Sequence, residues 1–258
     1  MTRRGFNRIE LGCVALIIGV LVLALVPAVL KVRRAADRAK CQSHLKQLAL
    51  THHNSAANHG GRLPTAAVPH PTLPPDGRLS WYVSILPYCE QQALHARFDL
   101  AAGWDALANR GPAAAPLQWF RCAAVKPVTA DCHYVGVAGV GADSPDLPEG
   151  DPRAGALGHD RRRPLDQVGF PDGTSNTLLL ADDGREPGPW ARGGFSTVGG
   201  VDPAAGPPNR LHPADRDRGS ATPAALADGA VRLFAADTDP AVWAALATAA
   251  GGESVPPD

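Results

Sequence analysis

The sequence has no C-x-x-C pair, no H-E-x-x-H motif and no EF-hand ligand series, although it holds 5 cysteines and 9 histidines. The first absence removes the zinc-ribbon and thioredoxin readings. The second removes the metalloprotease helix, and the third the best-defined calcium loop. Net charge is also lacking: 25 Lys and Arg balance 25 Asp and Glu, so no field of one sign draws the chain to nucleic acid or to an acidic partner. Aromatic residues are scarce at 5%, against 27 glycines and 25 prolines, which describes a loop-rich globular chain. Charged residues are missing altogether from Leu11 to Leu30. As a helix that run is about 30 Å long, roughly the thickness of a bilayer's hydrocarbon core.

What precedes the run is Arg3-Arg4-Gly5-Phe6-Asn7-Arg8-Ile9-Glu10. A carboxylate at the head of an apolar helix costs about 2.5–3.5 kcal/mol unless it finds a partner. A cut between Gly5 and Phe6 would create an α-amino group one helical turn from Glu10, and a neighbouring copy could offer its own amine to the same carboxylate. The pattern resembles the class III leader of type IV prepilins and type II secretion pseudopilins. That resemblance implies cleavage after Gly5 by a prepilin peptidase, N-methylation of Phe6, Glu10 as the assembly carboxylate and Pro27 as a helix-bending proline. The sequence departs from that family at Asn7-Arg8, where Thr-Leu is usual. Two simpler readings compete: a signal peptide cut at Val26-Pro27-Ala28, and a plain single-span anchor. Lys31, Arg33, Arg34, Arg38 and Lys40 outnumber Arg3, Arg4 and Arg8. The positive-inside rule alone would therefore leave the C-terminal part in the cytoplasm, whereas the leader pattern puts it outside.

Beyond the span, Val32, Ala35, Ala36, Ala39, Cys41, Leu45, Leu48, His52 and Ala56 recur at three- and four-residue spacing, which predicts that the helix continues until Gly60-Gly61 and Pro64 stop it. Ala15 with Gly19, and Ala24 with Ala28, are small pairs four apart that would let a second helix approach. Ser80 is expected to cap a short buried helix, Trp81 to Pro87, continued by Glu90 to Phe98. Strands are expected at Leu117–Arg121, His133–Ala138, Thr177–Asp182, Ala224–Ala227 and Ala230–Phe234. Asp228-Gly229 predicts a two-residue type I′ hairpin turn. Pro223 cannot donate to a ladder, so its strand is expected at an edge or poorly paired at its start. Asp239, Pro240 and Gly251 bracket a short C-terminal helix anchored by Trp243. Of the cysteines outside the span, Cys41, Cys89, Cys122 and Cys132, three pairings are open; Cys122–Cys132, closing a short loop, is the preferred disulfide.

The segment from Leu79 to Arg110, LSWYVSILPYCEQQALHARFDLAAGWDALANR, resembles the signature of a large bacterial family known as domain of unknown function 1559, whose members carry a prepilin-type leader. The motifs of Cys41 to Gln47, Phe120 to Cys122, His133 to Gly136, Asp172 to Thr177 and Ala227 to Arg232 stand in that family's order. The resemblance implies a fold but no activity. The expected architecture is α+β: a pilin-like long N-terminal helix, transmembrane in its first half, packed on a loop-rich head with a small antiparallel sheet. Its parts are a leader (1–5), a transmembrane helix (6–30), a helix continuation (31–59) and an ectodomain (60–258).

No catalytic set emerges. His44, His52 and His59 share one side of the long helix without a carboxylate at ligand spacing. Cys132 and His133, adjacent on a strand, point to opposite faces and make a poor nucleophile pair. Gly136, Gly139 and Gly141 read as a glycine-rich turn, not a dinucleotide fingerprint. Asp172 to Thr177 could offer oxygens to calcium, but a turn held by side-chain-to-backbone hydrogen bonds is favoured. Asp160-Arg161-Arg162-Arg163 and Asp215-Arg216-Asp217-Arg218 read as solvated loops with internal charge pairing. His212 is a residue the family commonly places ahead of its last hairpin. The expectation is a non-enzymatic pseudopilin-like subunit with no cofactor and no metal. It is placed in the cytoplasmic (inner) membrane with its ectodomain in the periplasm or outside the cell. Its expected partners are the prepilin peptidase and other pilin-like subunits, not nucleic acid. The alternative is an anchored ectodomain that binds an envelope or glycan ligand and does not polymerise.

Overall fold

The structure, a computed structural model, describes residues 8–122, 129–182, 188–207 and 221–252. One helix, α1 (Arg8–Asn58), accounts for 51 of them without interruption, Pro27 included. Proline lacks the N–H that would bond the carbonyl four residues back, so Leu23 loses one intrahelical partner and the helix runs on. Three shorter helices follow: α2 (Trp81–Ile85), α3 (Gln92–His95) and α4 (Leu107–Ala113). Seven strands come next: β1 (Asp131–Cys132), β2 (Tyr134–Val140), β3 (Leu178–Asp182), β4 (Gly188–Pro189), β5 (Val198–Val201), β6 (Ala221–Leu226) and β7 (Val231–Ala235). Helix α5 (Pro240–Ala247) closes the described chain, its first turn capped by the Asp239 carboxylate, which accepts from the Ala241 N–H.

β1 and β4 form a small ladder; the main sheet has the order β5-β2-β3-β6-β7. Its pairs are antiparallel except β2 with β5, which run parallel, so the sheet is mixed. The head half of α1 lies on one face and α5 on the other. Alternation along β6 sorts the side chains: Ala225 and Ala227 face the core with Leu45, Leu48 and Ala49 of α1, while Ala224 and Leu226 join Trp243 and Leu246 of α5. In β3 the alternation breaks at a register shift between Leu178 and Leu180, so Leu179 and Leu180 both serve the α1 side.

Several local expectations are corrected. β6 is interior, not an edge, though on the β3 side its pairing begins only at Ala224, which leaves its start paired with β7 alone. Leu226 donates to Ala230 on the β7 side and Ala227 to Thr177 on the β3 side, so Pro223 belongs to the set facing β3, one residue beyond the pair Ala181–Ala224 and level with Asp182, the last residue of β3. Its missing donor costs the ladder little there. The β6–β7 turn has three residues, Ala227 to Gly229, with only Gly229 at positive φ (83°). That is the turn-plus-bulge solution, which spares Asp228 a left-handed conformation. Leu117–Arg121 contains a 3₁₀ turn, Gln118–Phe120, which buries Phe120. Ser80 sits at the cap position of α2, but its hydroxyl donates to the Trp190 carbonyl at 2.5 Å and caps nothing. Glu90, at φ 59°, breaks the helix expected to continue from Pro87. Gly136 and Gly139 lie inside β2. A Cβ on Gly139 (φ 124°) would stand 1.9 Å from the Arg153 carbonyl oxygen, because the 153–157 segment crosses the strand at that point.

The preferred disulfide is also corrected: Cys122 pairs with Cys41, their Cα atoms 5.0 Å apart, and Cys132 is a buried free thiol. Cys132 donates to the Ser196 carbonyl at 3.3 Å, inside the β1–β4 corner. The 3₁₀ turn before Cys122 instead delivers it to the side of α1.

Candidate membrane anchor and head cleft

The apolar half of α1 touches nothing in the head. From Leu11 to Val32 its side chains are exposed, Leu16 at 70% and Leu23 at 77%. Exposed apolar surface on this scale is unfavourable in water at about 25 cal/mol per Å². One helix is thus long and apolar enough to cross a membrane. Ala15, Gly19, Ala24 and Ala28 lie within this exposed stretch. Gly5 and Phe6 fall outside the described residues, and Glu10 lies at the start of α1.

The other half of α1 is fastened to the head at successive turns. Cys41 carries the disulfide. His44 donates through Nδ1 to the Arg121 carbonyl at 2.9 Å. The Tyr134 hydroxyl lies 3.3 Å from both the Cys41 and Arg121 carbonyls, and the Tyr82 hydroxyl donates to the Tyr134 carbonyl at 2.6 Å. Burial pushes both phenols well above their ordinary pKa. Further along, Lys46 Nζ donates to the Gly229 carbonyl at 2.6 Å and His53 Nε2 to the Ala227 carbonyl at 2.9 Å, holding the hairpin turn against the helix. Neither residue carries a sequence signal for this role, since the turn lies more than 170 residues away.

The histidines of α1, and His59 just after it, bond to backbone carbonyls. His52 is fully buried, donates through Nδ1 to the Leu48 carbonyl at 2.8 Å and tilts against Trp81 at 4.8 Å between ring centroids. Burial lowers its pKa to about 4, so the ring is neutral at physiological pH. His59 donates to the Ser55 carbonyl and meets Tyr88 edge-on. Among the described residues no group of three or more His, Cys, Asp or Glu side chains could hold a metal ion. The Asp172 carboxylate accepts from the Gly251 and Gly252 N–H groups at 2.8 and 3.2 Å, tying down the chain after α5. Within the turn itself, Asn176 Nδ2 donates to the Asp172 carbonyl at 3.0 Å and the Thr177 hydroxyl to the Gly173 carbonyl at 3.2 Å, the side-chain-to-backbone bonds the turn reading expects. Cys132 and His133 are likewise engaged apart: His133 Nδ1 accepts from the Cys122 N–H at 3.2 Å. Cys89 is buried, which pushes its thiol up to about 12.

One charged loop departs from its expectation. Arg161 and Arg163 are buried, 7% and 1% exposed, not solvated. Arg163 donates to the carbonyls of Gly155, Gly169 and Glu149, and Arg161 to those of Leu147, Ala138 and Leu157. Burial, with Arg163 nearby, brings the Arg161 pKa down to about 10. Beside them opens a polar cleft of about 350 Å³ lined by Arg62, Asp146, Glu149, His159, Asp160 and Arg162, among others. His159 bonds Asp146 there at 2.7 Å. The Ser144 hydroxyl and the other ring nitrogen of His159, Nε2, are each buried without a hydrogen-bond partner among the described residues. Asp215 to Arg218 and His212 lie outside the described residues.

Residues 31–201 match the family described as protein of unknown function, DUF1559. The chain belongs to the DUF1559 family. The match begins where the apolar run of α1 ends and stops at the end of β5, so the β6–β7 hairpin and its Ala227-to-Arg232 motif lie outside it. The DUF1559 region therefore holds the fastened half of α1, the buried arginines and the cleft. No curated protein and no solved structure matches the chain.

Proposed function

We propose that this DUF1559 protein is a non-enzymatic, pseudopilin-like subunit of a type II secretion or type IV pilus-like system. It is processed after Gly5 by a prepilin peptidase, methylated on Phe6, and held in the cytoplasmic membrane with its head outside. Assembly proceeds by lateral packing of apolar helices, with Glu10 meeting the N-terminal amine of a neighbouring pilin-like subunit. The observation that carries this reading is α1 itself: one unbroken helix whose first part is bare and apolar and whose second part packs on a sheet. The Cys41–Cys122 disulfide supports the outward placement of the head, since such bonds persist in oxidising compartments.

The test is mass spectrometry of the N-terminal peptide from native membranes, paired with cross-linking in the same membranes. The expected chain begins at methylated Phe6 and gives a ladder of homo- or hetero-oligomers that Glu10→Ala abolishes. A chain beginning at Met1 or Thr2, or a ladder indifferent to Glu10→Ala, refutes the assembly mechanism. The cleft favours one second reading, an anchored ectodomain that binds a small polar ligand, such as a glycan fragment, and never polymerises.

A further inference from the structure

Between the end of the apolar run at Leu30 and the first buried residue, Cys41, the described side chains of α1 are exposed except for half-buried Asp37. Lys31, Arg33, Arg34, Arg38 and Lys40 stand in this interval against one carboxylate, Asp37. Lys31, Arg33, Arg38 and Lys40 are exposed, and among the described residues none of them makes an ion pair. With the head outside, as proposed above and as the Cys41–Cys122 disulfide supports, the positive-inside rule does not account for them. Cations there work against the head's export, so a different energetic reason is needed.

We infer that this collar is a binding site for the phosphates of anionic lipids in the leaflet from which α1 emerges. The inference rests on α1 spanning a bilayer, as proposed above. Lys31 to Lys40 covers about 14 Å along the axis, so the first cations lie in the headgroup layer and the last within about a Debye length of it. Direction around the helix favours lipid over a protein partner. At about 100° per residue, Lys31 and Arg38 project to one side and Arg33 and Lys40 to the opposite side. A docked protein would meet one face, whereas a lipid annulus surrounds the helix. The long aliphatic stems of Lys and Arg let the charges reach back to the phosphates, and each cation near an anionic surface adds attraction.

The experiment reconstitutes the full chain in vesicles of equal parts phosphatidylcholine and phosphatidylglycerol. Native mass spectrometry then counts the lipids retained on mild extraction. Phosphatidylglycerol should be retained roughly fivefold over its bulk share, and molar salt should abolish the preference. The variant Lys31→Gln/Arg33→Gln/Arg38→Gln/Lys40→Gln should retain both lipids equally while still forming the Cys41–Cys122 bond, which reports a folded head. Removing charge elsewhere, by Arg97→Gln/Arg110→Gln, should leave the preference intact. A chain that floats with the vesicles but shows no preference, or a collar variant that keeps it, overturns the collar alone. A chain that does not float overturns the spanning reading and the collar with it.

Discussion

His52 sits where an ionisable group is least comfortable, wholly buried between its own helix and Trp81. Burial depresses its folded pKa to about 4 from 6.5. Below pH 6.5 the unfolded chain takes up a proton that the folded chain refuses. The stabilisation is thus complete above pH 6.5 and is lost as pH falls toward 4, by roughly 3 kcal/mol in all. Denaturant unfolding of the wild type and His52→Gln across pH 7 to 4 reads this directly: the wild type should lose stability more steeply, and parallel curves would refute the assignment. His52 was legible in the sequence as a member of the buried periodic set on α1. Arg161 and Arg163 were not, because their burial depends on carbonyls that converge from Ala138, Leu147 and Gly169, none of which local spacing brings together.

At the level of elements, β6 explains how a long helix can lie close on a sheet. Its inward residues Ala225 and Ala227 are fully buried and small, and α1 presents Leu45, Leu48 and Ala49 to them. Ala225→Leu should overpack this contact and cost about 1–3 kcal/mol in denaturant unfolding, whereas the same exchange at exposed Ala204 should cost under about 0.5 kcal/mol. Equal effects at the two positions would mean that α1 does not press on β6. The sequence placed the strands at β2, β3, β6 and β7 and the C-terminal helix within a residue or a few. Small residues and a proline read as an edge or as a strand poorly paired at its start; the edge reading fails, while on the β3 side the pairing does begin only at Ala224. Their value appears only with a helix above them and with Pro223 level with the end of β3. The hairpin's position was legible from Asp228-Gly229, but its length was not, since one positive φ at Gly229 suffices when a bulge takes up the twist.

Across the whole molecule, the Cys41–Cys122 bond spans 81 residues and joins the anchor helix to the far side of the first helical segments. Closing a loop of that size stabilises a fold by about 4.5 kcal/mol in the chain-entropy account. Peptide mapping without reduction should recover Cys41 linked to Cys122, with Cys89 and Cys132 alkylated only after denaturation. A Cys122–Cys132 peptide would reverse the assignment. Sequence spacing pointed to the shorter loop because it could not foresee that the 3₁₀ turn Gln118–Phe120 brings residue 122 to the helix.

The same bond decides how the molecule carries load. A pull between the apolar end of α1 and the C-terminal side of the head travels along α1 to Cys41, then crosses the disulfide to Cys122. The chain between those two residues is bypassed, and roughly 280 Å of contour length stays slack while tension passes beside it. The signature helices α2 to α4 all lie in that sheltered loop, so stretching the protein would strip the sheet before it disturbed them.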